Sequence, residues 1–326
     1  ATGAPDDLAR QVADVLTDNH LAGHDSHGIL RIPEYVKNVR AGEIVPAARP
    51  RVIEETATSA LISGNWAFGQ VTGMFAADLA AEKAKRERVA VLSVVQAGHT
   101  GRLAAFTERA ARRGVAMFMA IGTVNKPTTA PYGGSAAALG TNPISFSIPN
   151  PAGTPVTLDF ATSSIAAGKI KAAKARHERL PPDAILDVNG RPSTDPQAFF
   201  EGGFLLPFGG HKGYALAVIA ELLSGPLAGA DAYPGVTSRS GIFIFAVDAA
   251  VFRPSADYGE ALARTLGRIK AVPPAPGFEE VLLPGEPEGR TRTRRESEGI
   301  PIPEDTWRAV RETGAELGVN VEEFVP

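Results

Sequence analysis

Histidine is the side chain best suited to passing a proton near neutral pH, and this chain has six of them. His20, His24 and His27 crowd one short stretch that closes on Asp25-Ser26-His27-Gly28. His99 stands in Gly98-His99-Thr100-Gly101-Arg102, between an apolar run and a helical pattern, where a side chain points into a cleft at a strand's carboxyl end. The plainer reading of His99 is a satisfied loop histidine. His211-Lys212-Gly213 opens a helical pattern behind a Gly-rich turn, so its backbone amides and lysine could receive phosphate. His177, at a basic helix end, reads as structural or solvated. His24-x-x-His27 resembles a metal pair, but the spacing suits one helix face poorly and no further ligands are evident, so no metal is expected. If the segment after Gly28 is helical, His27, Arg31 and Tyr35 are four apart and share a face. A proton donor, a bidentate carboxylate clamp and a hydroxyl would then converge on one pocket.

The elements that must carry these residues follow from apolar periodicity. Leu8, Val12, Val15 and Leu16 form one helical stripe, with Asp6 and Asp7 in its first turn and its end near Gly23. After a Pro- and Arg-rich connection, Val71, Met74, Phe75 and Leu79 mark a second helix, which runs into Lys83, Lys85, Arg86 and Arg88, a run read as a solvated face. Val89–Val95 reads as a buried strand, Arg102–Arg113 as a helix and Val115–Ile121 as a strand, so an α/β core is expected. Strands are also expected over Pro143–Ile148, Thr157–Phe160 and Ser240–Val247, and helices over Ser164–Ala175 and Gly213–Leu223. Leu262, Leu266 and Ile269 mark a later helix, and Pro303 with Trp307, Val310 and Leu317 the last. Residues 180–203 read as a long ordered loop or hairpin, and 273–303 as another.

Composition narrows the chemistry. The chain has 326 residues, 44% hydrophobic and 21% charged, which suits a folded protein of two or three lobes. A net charge of -3 with interspersed signs offers no basic surface for nucleic acid or anionic membrane, so a small-molecule partner is expected. The absence of cysteine excludes disulfides, thiolate metal sites and a cysteine nucleophile. The longest apolar run is too short to span a bilayer and the N-terminus lacks a signal pattern, which makes the cytoplasm the expected location. No Gly-x-Gly-x-x-Gly follows a strand and no P-loop occurs, so any nucleotide must be held by other means. Ser26, His27 and Asp159 could be read as a Ser-His-Asp hydrolase, but there is no Gly-x-Ser-x-Gly elbow and adjacent Ser and His tend to point apart.

Six segments occur in one order: Asp25-Ser26-His27-Gly28-Ile29-Leu30-Arg31-Ile32-Pro33-Glu34-Tyr35, Gly98-His99-Thr100-Gly101-Arg102-Leu103, Pro131-Tyr132-Gly133-Gly134, Leu139-Gly140-Thr141-Asn142-Pro143, Leu158-Asp159-Phe160-Ala161-Thr162-Ser163 and Pro207-Phe208-Gly209-Gly210-His211-Lys212-Gly213-Tyr214. In order and spacing, over nearly the whole chain, they resemble the type 2 malate/L-lactate dehydrogenase family. That family includes malate, lactate, sulfolactate and ureidoglycolate dehydrogenases and reductases of cyclic imino acids. The resemblance implies a non-Rossmann α/β fold: a nicotinamide cofactor-binding domain with a large mixed sheet, over residues 61–250. A smaller helical domain would be built from both chain ends, residues 1–60 and 251–326. It also implies a homodimer.

The implied reaction moves hydride between NAD or NADP and the substituted carbon of a small 2-hydroxy or 2-oxo acid. A cyclic imino acid reductase is the alternative within the same chemistry. Nothing in the sequence separates NAD from NADP. The resemblance makes His27 the acid/base, with Ser26 and Asp159 in support, and His99 a second candidate for that role. Asp159 also fits a plain helix cap ahead of Ser164. Arg31, Tyr35 and Thr141 would bind substrate. Asn125, Asn142, Pro143, Ala161, Thr162, Ser163, His211, Lys212, Gly213, Gly285 and Glu286 would line the cofactor. The chain departs from the family pattern at Pro284-Gly285-Glu286-Pro287-Glu288-Gly289-Arg290, where Pro-Gly-Glu-Arg is common, and at Ala104, where Gly is common.

Overall fold

The computed structural model describes residues 1–123, 127–233 and 240–324. In chain order the elements are α1 (Asp6–Leu21), α2 (Ile32–Arg40), β1 (Arg51–Glu55), β2 (Ser59–Ser63), α3 (Gly69–Glu87), β3 (Val89–Ala97), α4 (Ala104–Arg112) and β4 (Val115–Thr123). Then come β5 (Ile144–Ile148), β6 (Val156–Phe160), α5 (Ala167–Ala175), β7 (Ile185–Leu186), β8 (Pro192–Ser193), α6 (Pro196–Phe200) and β9 (Phe204–Leu205). The chain continues through α7 (His211–Ser224), β10 (Ser240–Asp248), α8 (Ser255–Lys270), α9 (Glu286–Glu298) and α10 (Glu304–Glu316).

Seven strands form one mixed sheet in the order β1-β2-β3-β10-β4-β5-β6. The β2–β3 pair is parallel, and β10 runs antiparallel to both β3 and β4. The carboxyl ends of β3, β4 and β6 therefore share one edge with the residues that lead into β5. One face of the sheet is closed by α3 and α4. Helix α3 presents Ala76, Ala77, Ala80, Ala81 and Ala84 to the strands, each 1% exposed or less, so its backbone lies close to the sheet. Phe106 of α4 fills the space beside them.

The opposite face is apolar but largely open. Val89–Val95 has the continuous apolar run of a strand buried on both sides, yet Val89 and Val91 are 36% and 39% exposed. Phe245 of β10 pairs with Val91 and Phe118, and Phe118 pairs with Phe146, which sets an apolar row across four strands. Helix α7 covers only part of this face, and its own Leu216, Ile219 and Leu222 point outward.

Three expectations are corrected. Residues 273–303 contain helix α9, which has no buried residue and therefore no apolar stripe to announce it. The Pro- and Arg-rich connection contains the β1–β2 hairpin, which joins the large sheet. Lys83 is not on a solvated face: its buried ammonium donates to the Thr56 carbonyl (2.7 Å) and pairs with Glu55 (2.8 Å). The 180–203 segment supplies β7, β8 and α6, with β9 just beyond, as a small sheet over its own apolar cluster. Helices from the two chain ends pack together, α9 on α1 and α10 on α2. Among the described residues no helix is long and apolar enough to cross a membrane.

Candidate active site

His27 ends a 3-10 turn, Asp25–His27; a second, Ile29–Arg31, leads into α2. The continuous helix that would align His27, Arg31 and Tyr35 is therefore broken at Gly28, but the three residues still gather around one point. The break has a steric cause. A Cβ on Gly28 would stand 2.1 Å from Nε2 of the buried His20 ring, so only glycine lets the loop lie there. The Ile29 amide donates to His20 Nε2 (2.9 Å), which puts the His20 proton on Nδ1, where it is donated to Asp25 Oδ1 (2.8 Å). Asp25 in turn receives both terminal nitrogens of Arg295 from α9 (2.6 and 3.0 Å), and Arg295 also donates to the His20 carbonyl. Asn19 Nδ2 donates to the His27 carbonyl (3.0 Å). The loop is thus tied on both sides of His27.

The His27 and His99 rings stack with centroids 5.5 Å apart and planes 11° from parallel. Burial pushes both imidazoles down to about 3, helped at His27 by His99 and Arg31 and at His99 by Arg31. Both rings are consequently neutral at pH 7. His27 Nδ1 shares a 3.0 Å hydrogen bond with Ser26 Oγ, which leaves Nε2 as the nitrogen available for exchange. Arg31 donates from Nε to the Ser26 carbonyl (2.8 Å) and from Nη1 to Glu34 (2.7 Å), so the guanidinium is held firmly beside the two rings.

The Tyr35 hydroxyl is turned to partners within the protein. The residue is 5% exposed, hydrogen bonded to His99 Nδ1 (2.8 Å) and reached by Gln70 Nε2 (2.7 Å). Burial raises its phenol to about 12. Asp159 faces α4 and its Oδ2 accepts the Ala104 amide (2.7 Å); among the described residues it makes no hydrogen bond to Ser26 or His27. It caps a helix, as its plainer reading has it, but that helix is α4 and not the one after Ser164. Burial raises its carboxyl to about 6. A Ser-His-Asp triad is therefore not assembled. His24 lies 3.7 Å from Glu288 and His177 is exposed on a basic stretch, so neither joins the site.

The residues expected around a cofactor fall into one neighbouring cluster. The Thr162 amide and hydroxyl both donate to the Thr141 carbonyl (2.9 and 3.0 Å), and the hydroxyl also reaches the Asn142 carbonyl. Asn142, buried at φ +36°, sends Nδ2 to the Ala217 carbonyl and to Glu221, binding this loop to α7. The Pro143 carbonyl accepts the Ile121 amide, and Ser163 Oγ donates to the Ile165 carbonyl, on either side of Ala161 and Thr162. Phe208, in the turn before α7, donates its amide to the Thr162 carbonyl, which brings the start of α7 alongside. Gly209 and Gly210 sit at φ +57° and +62°, and a Cβ on Gly213 would meet the Phe208 carbonyl at 2.0 Å. The α7 N-terminus has no side-chain cap, and His211 and Lys212 are exposed beside it.

Two expected contacts look different. Gly285, at φ +92°, packs on β6, where the Pro284 carbonyl accepts the Thr157 amide (3.0 Å). Glu286 is already engaged, capping the Leu283 amide and pairing with Lys270 at 2.9 Å. Arg290 is bidentate to Glu280 (2.6 and 2.8 Å), which accounts for the arginine displaced from the usual pattern. Asn125 lies outside the described residues.

The profile of the malate/L-lactate dehydrogenase family matches residues 1–311. The chain belongs to that family. It is a dehydrogenase acting on hydroxy acids. L-sulfolactate dehydrogenase of Methanocaldococcus jannaschii is 35% identical over 99% of this chain and 94% of its own, and a solved structure of the sulfolactate dehydrogenase from that organism superposes with a TM-score of 0.89. L-lactate dehydrogenase of Cupriavidus necator is 33% identical over 98% of this chain and 94% of its own. The delta1-piperideine-2-carboxylate reductase structure from Pseudomonas syringae pvar. tomato reaches a TM-score of 0.82 at 29% identity, covering 95% and 94%.

Sequence reasoning missed His20, Gln70 and Arg295 as parts of the cluster around His27 and His99. His20 stands beside the motif but has no role of its own in the sequence, the metal-like pair being His24 and His27. Gln70 and Arg295 have no local signal, because their partners lie 35 and 270 residues away in the chain.

Proposed function

We propose that the chain oxidises and re-forms small 2-hydroxy acids with NAD or NADP, using His27 as the group that exchanges the substrate proton. The observation that carries this reading is the stacked pair of neutral imidazoles with Arg31 fixed beside it. Arg31 holds the substrate carboxylate. Neutral His27 takes the hydroxyl proton at Nε2 during oxidation and returns it during reduction. The bound carboxylate moves the His27 pKa up toward neutral pH, because an anion within a few ångströms favours the charged ring. His99, the second acid/base candidate, holds the substrate oxygen, and Ser26 orients His27. Asp159 acts through the helix it caps.

The open α7 N-terminus, Lys212, and the segments 141–143 and 161–163 fit a dinucleotide: backbone amides and a cation face the place where phosphates are expected. Bound there, the nicotinamide ring carries the hydride. We assign the cofactor to a domain over residues 61–250 and the substrate side to 1–60 with 251–326, in the cytoplasm. Malate, lactate and sulfolactate are the first substrates to test. Reduction of a cyclic imino acid is the second reading, favoured by the likeness to the piperideine carboxylate reductase. A panel of these acids with both cofactors, followed by nicotinamide absorbance, tests the assignment; turnover of none of them with either cofactor overturns it.

The assembly we propose is a homodimer closed over the open sheet face. Val91, Phe245 and Phe146 with Leu216, Ile219 and Leu222 of α7 form a contiguous apolar surface of the kind that marks an interface. Phe245→Glu is expected to convert a dimeric light-scattering mass to a monomeric one.

A further inference from the structure

The hydroxyl of Tyr35 has one proton and two neighbours, His99 Nδ1 at 2.8 Å and Gln70 Nε2 at 2.7 Å. An amide nitrogen can only donate, so the Tyr35 oxygen accepts from Gln70, and His99 Nδ1 is the one partner left for its own buried proton. A ring nitrogen that accepts carries no proton, and the proton of the neutral ring then lies on Nε2. If His99 Nδ1–H donated to Tyr35 instead, the buried phenol proton would have no partner unless the Gln70 amide were inverted, with Tyr35 donating to Gln70 Oε1. Burial decides between them. Gln70 is 0% exposed and its Oε1 has no partner among the described residues. Inversion would exchange that one unpaired oxygen for an unpaired NH2, and buried N–H groups go unpaired less often than oxygens. Gly69 makes the arrangement reachable, because a Cβ there would stand 2.2 Å from the His99 carbonyl, so the start of α3 lies directly against the His99 loop.

We infer that Gln70 is a positioning residue which, through Tyr35, fixes His99 as the Nε2–H tautomer. His99 then presents a neutral N–H donor on the ring edge away from Tyr35, suited to a developing alkoxide oxygen, and proton exchange is left to His27. The inference rests on the proposed roles of the two histidines but is tested without them. In histidine-15N-labelled protein, with the His99 signal assigned by loss in His99→Gln, long-range 1H–15N correlations are expected to give the Nε2–H pattern. In Gln70→Glu at pH 9 the carboxylate only accepts, the Tyr35 proton turns to it, and the proton on His99 is expected at Nδ1. The kcat of this variant should fall about 10- to 100-fold, the usual effect of removing a partner that orients a catalytic group, with cofactor Kd unchanged. In a Tyr35→Phe background the same substitution should add nothing. Gln70→Met, compared with and without Tyr35→Phe, supplies the same cycle should the buried glutamate prevent folding. A wild-type proton on Nδ1, or an effect at position 70 of equal size in both backgrounds, overturns the inference. Tautomer results as expected in a protein that oxidises no hydroxy acid would overturn the functional reading alone.

Discussion

Helices α3 and α9 are held to the same protein by opposite forces. Helix α3 has eleven buried residues and grips the sheet through an alanine face, so its place is set by apolar burial. Helix α9 has none, and its place is set by charge: Arg292 reaches Asp18 at 2.5 Å, and Arg295 reaches Asp25. The first arrangement builds the scaffold and tolerates little change in volume. The second controls the loop that carries His27 and contributes little to the core. Stability and activity should therefore respond to different helices.

The sharpest way to break this contrast is Arg295→Ala. It releases Asp25, and through it the His20 ring on which the His27 loop rests. A kcat lower by about 10- to 100-fold is expected, with a melting temperature lower by several degrees, since the Arg295 side chain is 10% exposed while Asp25, at 41%, can be solvated. A large loss of stability at unchanged kcat would place α9 with the scaffold instead. Gly73→Ala on α3 should do the reverse. The added Cβ would stand 2.7 Å from the Phe106 ring, which is fully buried, and overpacking of that kind costs about 1–3 kcal/mol. Chemical denaturation should register that loss, with kcat per folded molecule unchanged.

Acid sharpens the comparison further, with a smaller effect. His27 and His99 have folded pKa values of about 3 against 6.5 for the free side chain. The unfolded chain binds more protons between those values, so stability is intact above pH 6.5 and falls as pH drops toward 3. Asp159, raised to about 6, works in the other sense, losing its contribution as pH rises through that value. Two histidines outweigh one aspartate, and the urea midpoint at pH 5 should be lower than at pH 7. In His27→Gln the difference should shrink.

The same contrast explains what could be read in the sequence. Strands β3, β4 and β10 announce themselves as short apolar runs and α1 as an apolar stripe at the helical period, whereas α3 is read from Val71, Met74, Phe75 and Leu79 but packs on the sheet through its alanines. The segments 141–143 and 161–163 are legible as ordered motifs, and the observed bonds from Thr162 to Thr141 and Asn142 join them. Helix α9 was invisible because periodicity registers burial, and Arg292 and Arg295 work by charge over long sequence separations. The spacing of Tyr35 from His27 suggests a shared face, and only the fold reveals that His99 meets its hydroxyl. The open sheet face was equally hidden, since an apolar run reads alike whether it is covered by the same chain or by another.

The most direct test of the account is the rate of hydroxy acid oxidation, at saturating cofactor, in His27→Gln and His99→Gln compared with the unaltered protein. Removal of a general base typically lowers kcat by about 10²- to 10⁴-fold. That loss is expected at His27 with cofactor Kd unchanged, and a smaller one at His99. The full loss at His99, with His27→Gln turning over near the normal rate, would contradict the assignment.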